Sequence, residues 1–90
     1  MVRYHIVVHG VVQGVGFRYY TYQNAINNNI TGWVRNRNDG TVEIEAVGTR
    51  EDFIKFIDFI KKGSNFSNVE RVNIQETEKP RDYDSFQIKY

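Results

Sequence analysis

The sequence predicts an α+β domain in which an antiparallel β-sheet carries two helices on one face. Three observations support this. Short β-branched segments alternate with a period of two, one segment carries a full helical stripe, and turn signals order the segments as strand, helix, strand, strand, helix, strand.

The first strand is Tyr4-His5-Ile6-Val7-Val8-His9, bounded by Gly10. Gly10-Val11-Val12-Gln13-Gly14-Val15-Gly16 follows, and its glycines interrupt regular structure. A helix is expected after Phe17, with Arg18, Tyr22, Ala25 and Asn29 on one face and Ile26 beside them. Asn27-Asn28-Asn29 should end it, because asparagine is a poor helix former.

Ile30 to Asn36 reads as the second strand, and Asn38-Asp39-Gly40 as a hairpin turn. In the return strand, Thr41 to Ala46, the alternation sends Val42, Ile44 and Ala46 inward and Thr41, Glu43 and Glu45 to solvent. The second helix is the best signalled element. Thr49 is placed to N-cap it, with Asp52 three residues on in the manner of a capping box. Phe53, Phe56, Ile57 and Ile60 form a core-facing stripe, Lys61 and Lys62 suit the negative end of the helix dipole, and Gly63 stops it.

Ser64 to Asn68 is a polar loop, and Val69 to Thr77 a strand with Val72 and Ile74 inward. Lys79 to Asp84 is an exposed turn around Pro80, and Phe86 to Tyr90 a short terminal strand. This order, βαββαβ plus a short strand, is the split βαβ or ferredoxin-like α/β sandwich. Many unrelated activities use that fold, so function must come from a local site.

The chain has 90 residues, which fits one domain spanning 1–90. It contains no Cys, which removes disulfides, thiolate nucleophiles and Cys-ligated metals. A net charge of +1 provides no long-range field for gathering nucleic acid or anionic membrane. No apolar run approaches the ~20 residues of a membrane-spanning helix, and Met1-Val2-Arg3-Tyr4-His5 has no signal-peptide character. A small soluble intracellular domain is therefore expected.

The most informative segment is Gly10 to Arg18. Glycines let backbone N–H groups converge, the helix start adds free N–H groups and positive potential, and a guanidinium grips two oxygens at once. Together these make an anion cradle. A tight strand-to-helix turn with a surface Arg fits the same glycines, and spacing alone favours it. A dinucleotide fingerprint is excluded because Tyr19 stands where its third Gly belongs, and no Gly-Lys-Ser/Thr run supplies a Walker loop.

Asn36 ends the second strand between Arg35 and Arg37. Its amide is able to orient a nucleophile without titrating, although Asn at a strand end is explained equally by turn chemistry. Arg35 and Arg37 read as solvated charges on a shared face. His5 and His9 lie ~13 Å apart on one strand face, too far to share a zinc ion. Glu43 and Glu45 are explained by solvation. An RNA-recognition surface would need aromatics on the central strands, which carry Tyr4 and none in Thr41–Val47.

Gly10-Val11-Val12-Gln13-Gly14-Val15-Gly16-Phe17-Arg18 closely resembles the first signature of the acylphosphatase family. Gly32-Trp33-Val34-Arg35-Asn36-Arg37-Asn38-Asp39-Gly40-Thr41-Val42, followed by Gly48, resembles the second. The likeness continues through Gly63-Ser64, Val69 and Phe86-Gln87-Ile88, and no signature position departs from it.

The resemblance implies hydrolysis of the carboxyl–phosphate bond of acyl phosphates to a carboxylate and inorganic phosphate, without metal or organic cofactor. By it, Arg18 and the N–H groups of Gln13, Gly14, Val15, Gly16 and Phe17 hold the phosphate, while Asn36 positions the attacking water. The alternative is a non-catalytic phosphate- or carbamoyl-phosphate-binding module, like the acylphosphatase-like domain of hydrogenase-maturation carbamoyltransferases. A free-standing chain of this length favours the enzyme. Weak binding of a nucleic-acid backbone by Arg18, Arg35 and Arg37 ranks third.

Overall fold

Each predicted segment forms its element in the computed structural model, which describes residues 1–77 and 82–90. The elements are β1 (Val2–Val11), α1 (Phe17–Asn27), β2 (Thr31–Asn36), β3 (Val42–Gly48), α2 (Arg50–Lys62), β4 (Asn68–Thr77) and β5 (Phe86–Ile88). The sheet order is β4-β1-β3-β2-β5. Neighbours among the first four strands are antiparallel, and the short β5 joins β2 in parallel, making a mixed sheet with a ferredoxin-like frame. Of the expected turn at Lys79 to Asp84, residues 79–81 lie outside the described residues.

The core follows from strand parity. Tyr4, Ile6 and Val8 of β1, Val34 of β2, and Val42, Ile44 and Ala46 of β3 are buried against Phe17 and Ala25 of α1 and Phe53, Phe56, Ile57 and Ile60 of α2. Burying side chains of this size contributes roughly 1.5–3 kcal/mol each. The α2 stripe is the expected one, and Thr49 accepts a hydrogen bond from the Asp52 N–H at 3.1 Å. The Gly63 N–H closes the helix on the Phe59 carbonyl.

Ile74, expected inward, is 41% exposed because β4 is an edge strand, and three further local expectations are corrected. The buried stripe of α1 is Phe17, Thr21 and Ala25, whereas Ile26 is 51% exposed. A threonine serves in this stripe because its hydroxyl donates to the Phe17 carbonyl at 2.9 Å, so burying it leaves no unmet polar group. Next, β1 does not stop at Gly10. A register shift between His9 and Gly10 bends it, and it pairs with β4 as far as Val11.

Thirdly, Thr41 and Glu45 are buried, at 7% and 8% exposure, and Glu43 is nearly so. Strand β3 is central, and long side chains of its neighbours cover its helix-free face. Glu43 accepts hydrogen bonds from the Arg35 Nε at 2.6 Å and lies 2.6 Å from the His5 ring nitrogen. Glu45 faces Arg3 at 3.6 Å. Burial pushes Glu43 upward, but its bonds to His5 and Arg35 and their charges outweigh this and hold the carboxyl below its usual range.

Candidate active site

The site forms where the β1–α1 loop meets the end of β2. Gly14 and Gly16 both take left-handed conformations, with φ of 73° and 75°. A Cβ at either would meet nothing within 4 Å, so glycine is needed there for the backbone turn rather than for space. Gly16 is the N-cap of α1, whose first turn carries Arg18 and whose end has no capping side chain. The N–H groups at that end have no intrahelical acceptor and add positive potential.

Asn36 arrives by strand alternation. Val34 faces α1, so Asn36, two residues on, lies on the same side of the sheet, while Arg35 lies on the other. The hairpin beyond is fixed by Asp39, whose Oδ1 accepts from the Thr41 N–H at 3.0 Å and its hydroxyl at 2.6 Å. Those two bonds, the hydroxyl first, hold the Asp39 carboxyl below its ordinary value. The Asn36 Oδ1 is buried and accepts no hydrogen bond from the described residues. An orphaned acceptor costs about 1–3 kcal/mol and calls for an explanation, which a bound water or substrate would supply here.

Gly14, Gly16, Phe17, Arg18 and Asn36 line one pocket of about 210 Å³. Of the residues expected around the phosphate, Gln13 and Val15 do not line it. Val15 packs on the core. The Gln13 side chain instead donates to the carbonyls of Arg37 and Thr41, joining the loop to the hairpin.

The pocket also takes Tyr19, Ile88 and Tyr90, which sequence reasoning missed. Arg18 Nη1 donates to the Lys89 carbonyl at 3.0 Å, and its guanidinium lies 4.7 Å from the centre of the Tyr90 ring. The parallel pairing of β5 with β2 brings Ile88, Lys89 and Tyr90 to the site, and no local sequence signal announces it. One guanidinium N–H is thus engaged and the others remain as donors. Among the described residues, no side chain lining the pocket is a carboxylate or an imidazole.

A second pocket of about 460 Å³ adjoins the first, lined by Arg35, Asn36, Arg37, Asn38, Asp39 and Tyr90. Arg35 is not the free surface charge expected: it is held by Glu43 and lies 5.2 Å from the Trp33 ring centre. His9 stands beside Arg71 and Asn73 on the helix-free face, away from the pocket. Among the described residues no group of three or more His, Cys, Asp or Glu is arranged to hold a metal.

The acylphosphatase family model matches residues 4–88. A Bacillus licheniformis protein named acylphosphatase is 49% identical over 90 residues, covering 100% of both chains. The crystal structure of acylphosphatase from Bacillus subtilis superposes with a TM-score of 0.98 at 41% identity, again over 100% of both chains. A crystal structure of full-length HypF matches with a TM-score of 0.87 at 28% identity, over 99% of this chain and 12% of HypF.

Proposed function

The chain belongs to the acylphosphatase family and hydrolyses the carboxyl–phosphate bond of acyl phosphates, and we propose that it does so with Arg18 and the loop N–H groups holding the phosphoryl group while Asn36 positions the water. The observation that carries this division of labour is that Arg18, the two left-handed glycines and Asn36 line one pocket.

The dianionic phosphoryl group enters that cradle. The free guanidinium N–H groups of Arg18 and the N–H groups of the Gln13–Arg18 loop donate to its oxygens, offsetting charge as the bond to the leaving oxygen stretches. The Asn36 Oδ1 accepts from the water and fixes its approach, a positioning role that requires no titration. The water oxygen bonds to phosphorus, the P–O bond to the acyl group breaks, and its electron pair leaves on the carboxylate. One water proton passes to an oxygen of the phosphoryl group itself, giving carboxylate and dihydrogen phosphate. A carboxylate is a good leaving group, so no enzyme acid is needed.

The same reading makes the chain a single domain and a monomer that works in the cytoplasm without metal or cofactor. Among the described residues no helix is long and apolar enough to cross a membrane. It includes no nucleic-acid role, since Tyr4 is buried in a stack against Phe53. The likeness to a small part of HypF supports a binding-only alternative, which turnover separates. The test is hydrolysis of acetyl phosphate in ¹⁸O-water with excess chelator. Rapid hydrolysis with label in phosphate supports the proposal, whereas label in acetate, or dependence on metal, contradicts it.

A further inference from the structure

Asn36 and Tyr90 border both pockets, whereas Tyr19 lines only the first. In-line displacement puts the attacking water and the leaving oxygen on opposite sides of phosphorus. On the reading that Asn36 holds the water, the acyl group must leave away from Asn36, and the pocket of Arg35 and Arg37 lies beyond Asn36. That pocket is then the approach of water rather than the seat of the acyl group.

Besides the cradle and Tyr90, the first pocket is lined by Val12, Ile88 and Tyr19, and of these Val12 is fully buried while Tyr19 is an exposed ring able to meet the acyl group. This ring is 57% exposed yet held in place. Its hydroxyl oxygen accepts from Gln23 Nε2 at 2.9 Å, and it stacks with Tyr22 at a centroid separation of 6.2 Å and 24° between planes. The other aromatic at the rim, Tyr90, has the Arg18 guanidinium over it. We propose that Tyr19 is a specificity-determining residue, a fixed aromatic wall against which the acyl group rests, selecting aromatic acyl phosphates over those with a small acyl group. The proposal rests on the roles given above to Arg18 and Asn36.

The test compares kcat/KM for benzoyl phosphate and acetyl phosphate, with the inhibition constant of inorganic phosphate, in the unmodified chain, Tyr19→Ala and Tyr19→Phe. Tyr19→Ala should lower the benzoyl-to-acetyl ratio roughly 2- to 12-fold, the size of one aromatic contact. Phosphate inhibition should hold, and Tyr19→Phe should keep the original ratio. An unchanged ratio in Tyr19→Ala overturns the proposal. So does an equal loss on both substrates with weaker phosphate inhibition, which would make Tyr19 a support of the cradle. Selective loss of succinyl phosphate turnover in Arg37→Ala overturns it too, by placing the acyl group on the Asn36 side. Inertness of the unmodified chain toward both acetyl and benzoyl phosphate defeats the underlying enzymatic reading instead.

Discussion

The side-chain nitrogen of Gln13 lies 2.7 Å from the carbonyl oxygen of Arg37, and the same nitrogen reaches the carbonyl of Thr41 at 2.9 Å. One amide therefore ties the loop that leads into Arg18 to the hairpin that follows Asn36. The two groups assigned to phosphate and water come from segments far apart in sequence, and their separation must hold to a fraction of an ångström. Gln13 is a positioning residue in this sense.

Gln13→Ala should therefore lower both stability and kcat. Two lost hydrogen bonds of ordinary strength amount to about 1–3 kcal/mol, measurable by urea unfolding. Gln13→Glu should not restore kcat, because a carboxylate has no proton to donate to a carbonyl at neutral pH. Wild-type kcat in Gln13→Glu would remove Gln13 from the account.

The glycines separate conformational need from spatial need. Gly16 has φ of 75° and open space around it, so Gly16→Ala should fold with a cost of about 1–2 kcal/mol. At Gly32, φ is 135° and a Cβ would lie 1.9 Å from the Glu45 carbonyl oxygen, inside the β2–β3 pair. Gly32→Ala should lose more than about 4 kcal/mol or fail to fold. Equal urea midpoints for the two variants would contradict this.

The Glu43 carboxyl is depressed below its ordinary 4.5 by its partners, so the folded chain binds fewer protons there than the unfolded chain. Its contribution to stability is present above pH 4.5 and disappears as pH falls through the native value. Glu43→Gln should be less stable than the unmodified chain at neutral pH and lose less on acidification. Parallel stability-versus-pH curves for the two proteins would rule out this linkage.

What was legible in the sequence was local. The α2 stripe of Phe53, Phe56, Ile57 and Ile60 and the Asp39-Gly40 turn each signal their structure within a few residues, and both form as expected. In α1 the pattern misleads, because a threonine that satisfies its own hydroxyl stands where an apolar residue would mark the buried face. Glu45 reads as solvated because its cover comes from neighbouring strands. At the site, Arg18 and Asn36 stand out through their motifs, whereas Ile88 and Tyr90 become visible only once β5 pairs with β2, and Tyr19, one residue after Arg18 in α1, carries no motif signal of its own.

The central claim is that Arg18 binds and Asn36 positions. It is tested most directly by measuring kcat and the inhibition constant of inorganic phosphate, in one assay with chelator, for the unmodified chain, Arg18→Ala and Asn36→Ala. The account predicts that Arg18→Ala loses both phosphate inhibition and turnover. Asn36→Ala should keep phosphate inhibition while kcat falls ~10²–10³-fold, as for a lost transition-state hydrogen bond. Equal loss of phosphate inhibition in both variants would contradict it, because Asn36 would then belong to the cradle or to the fold.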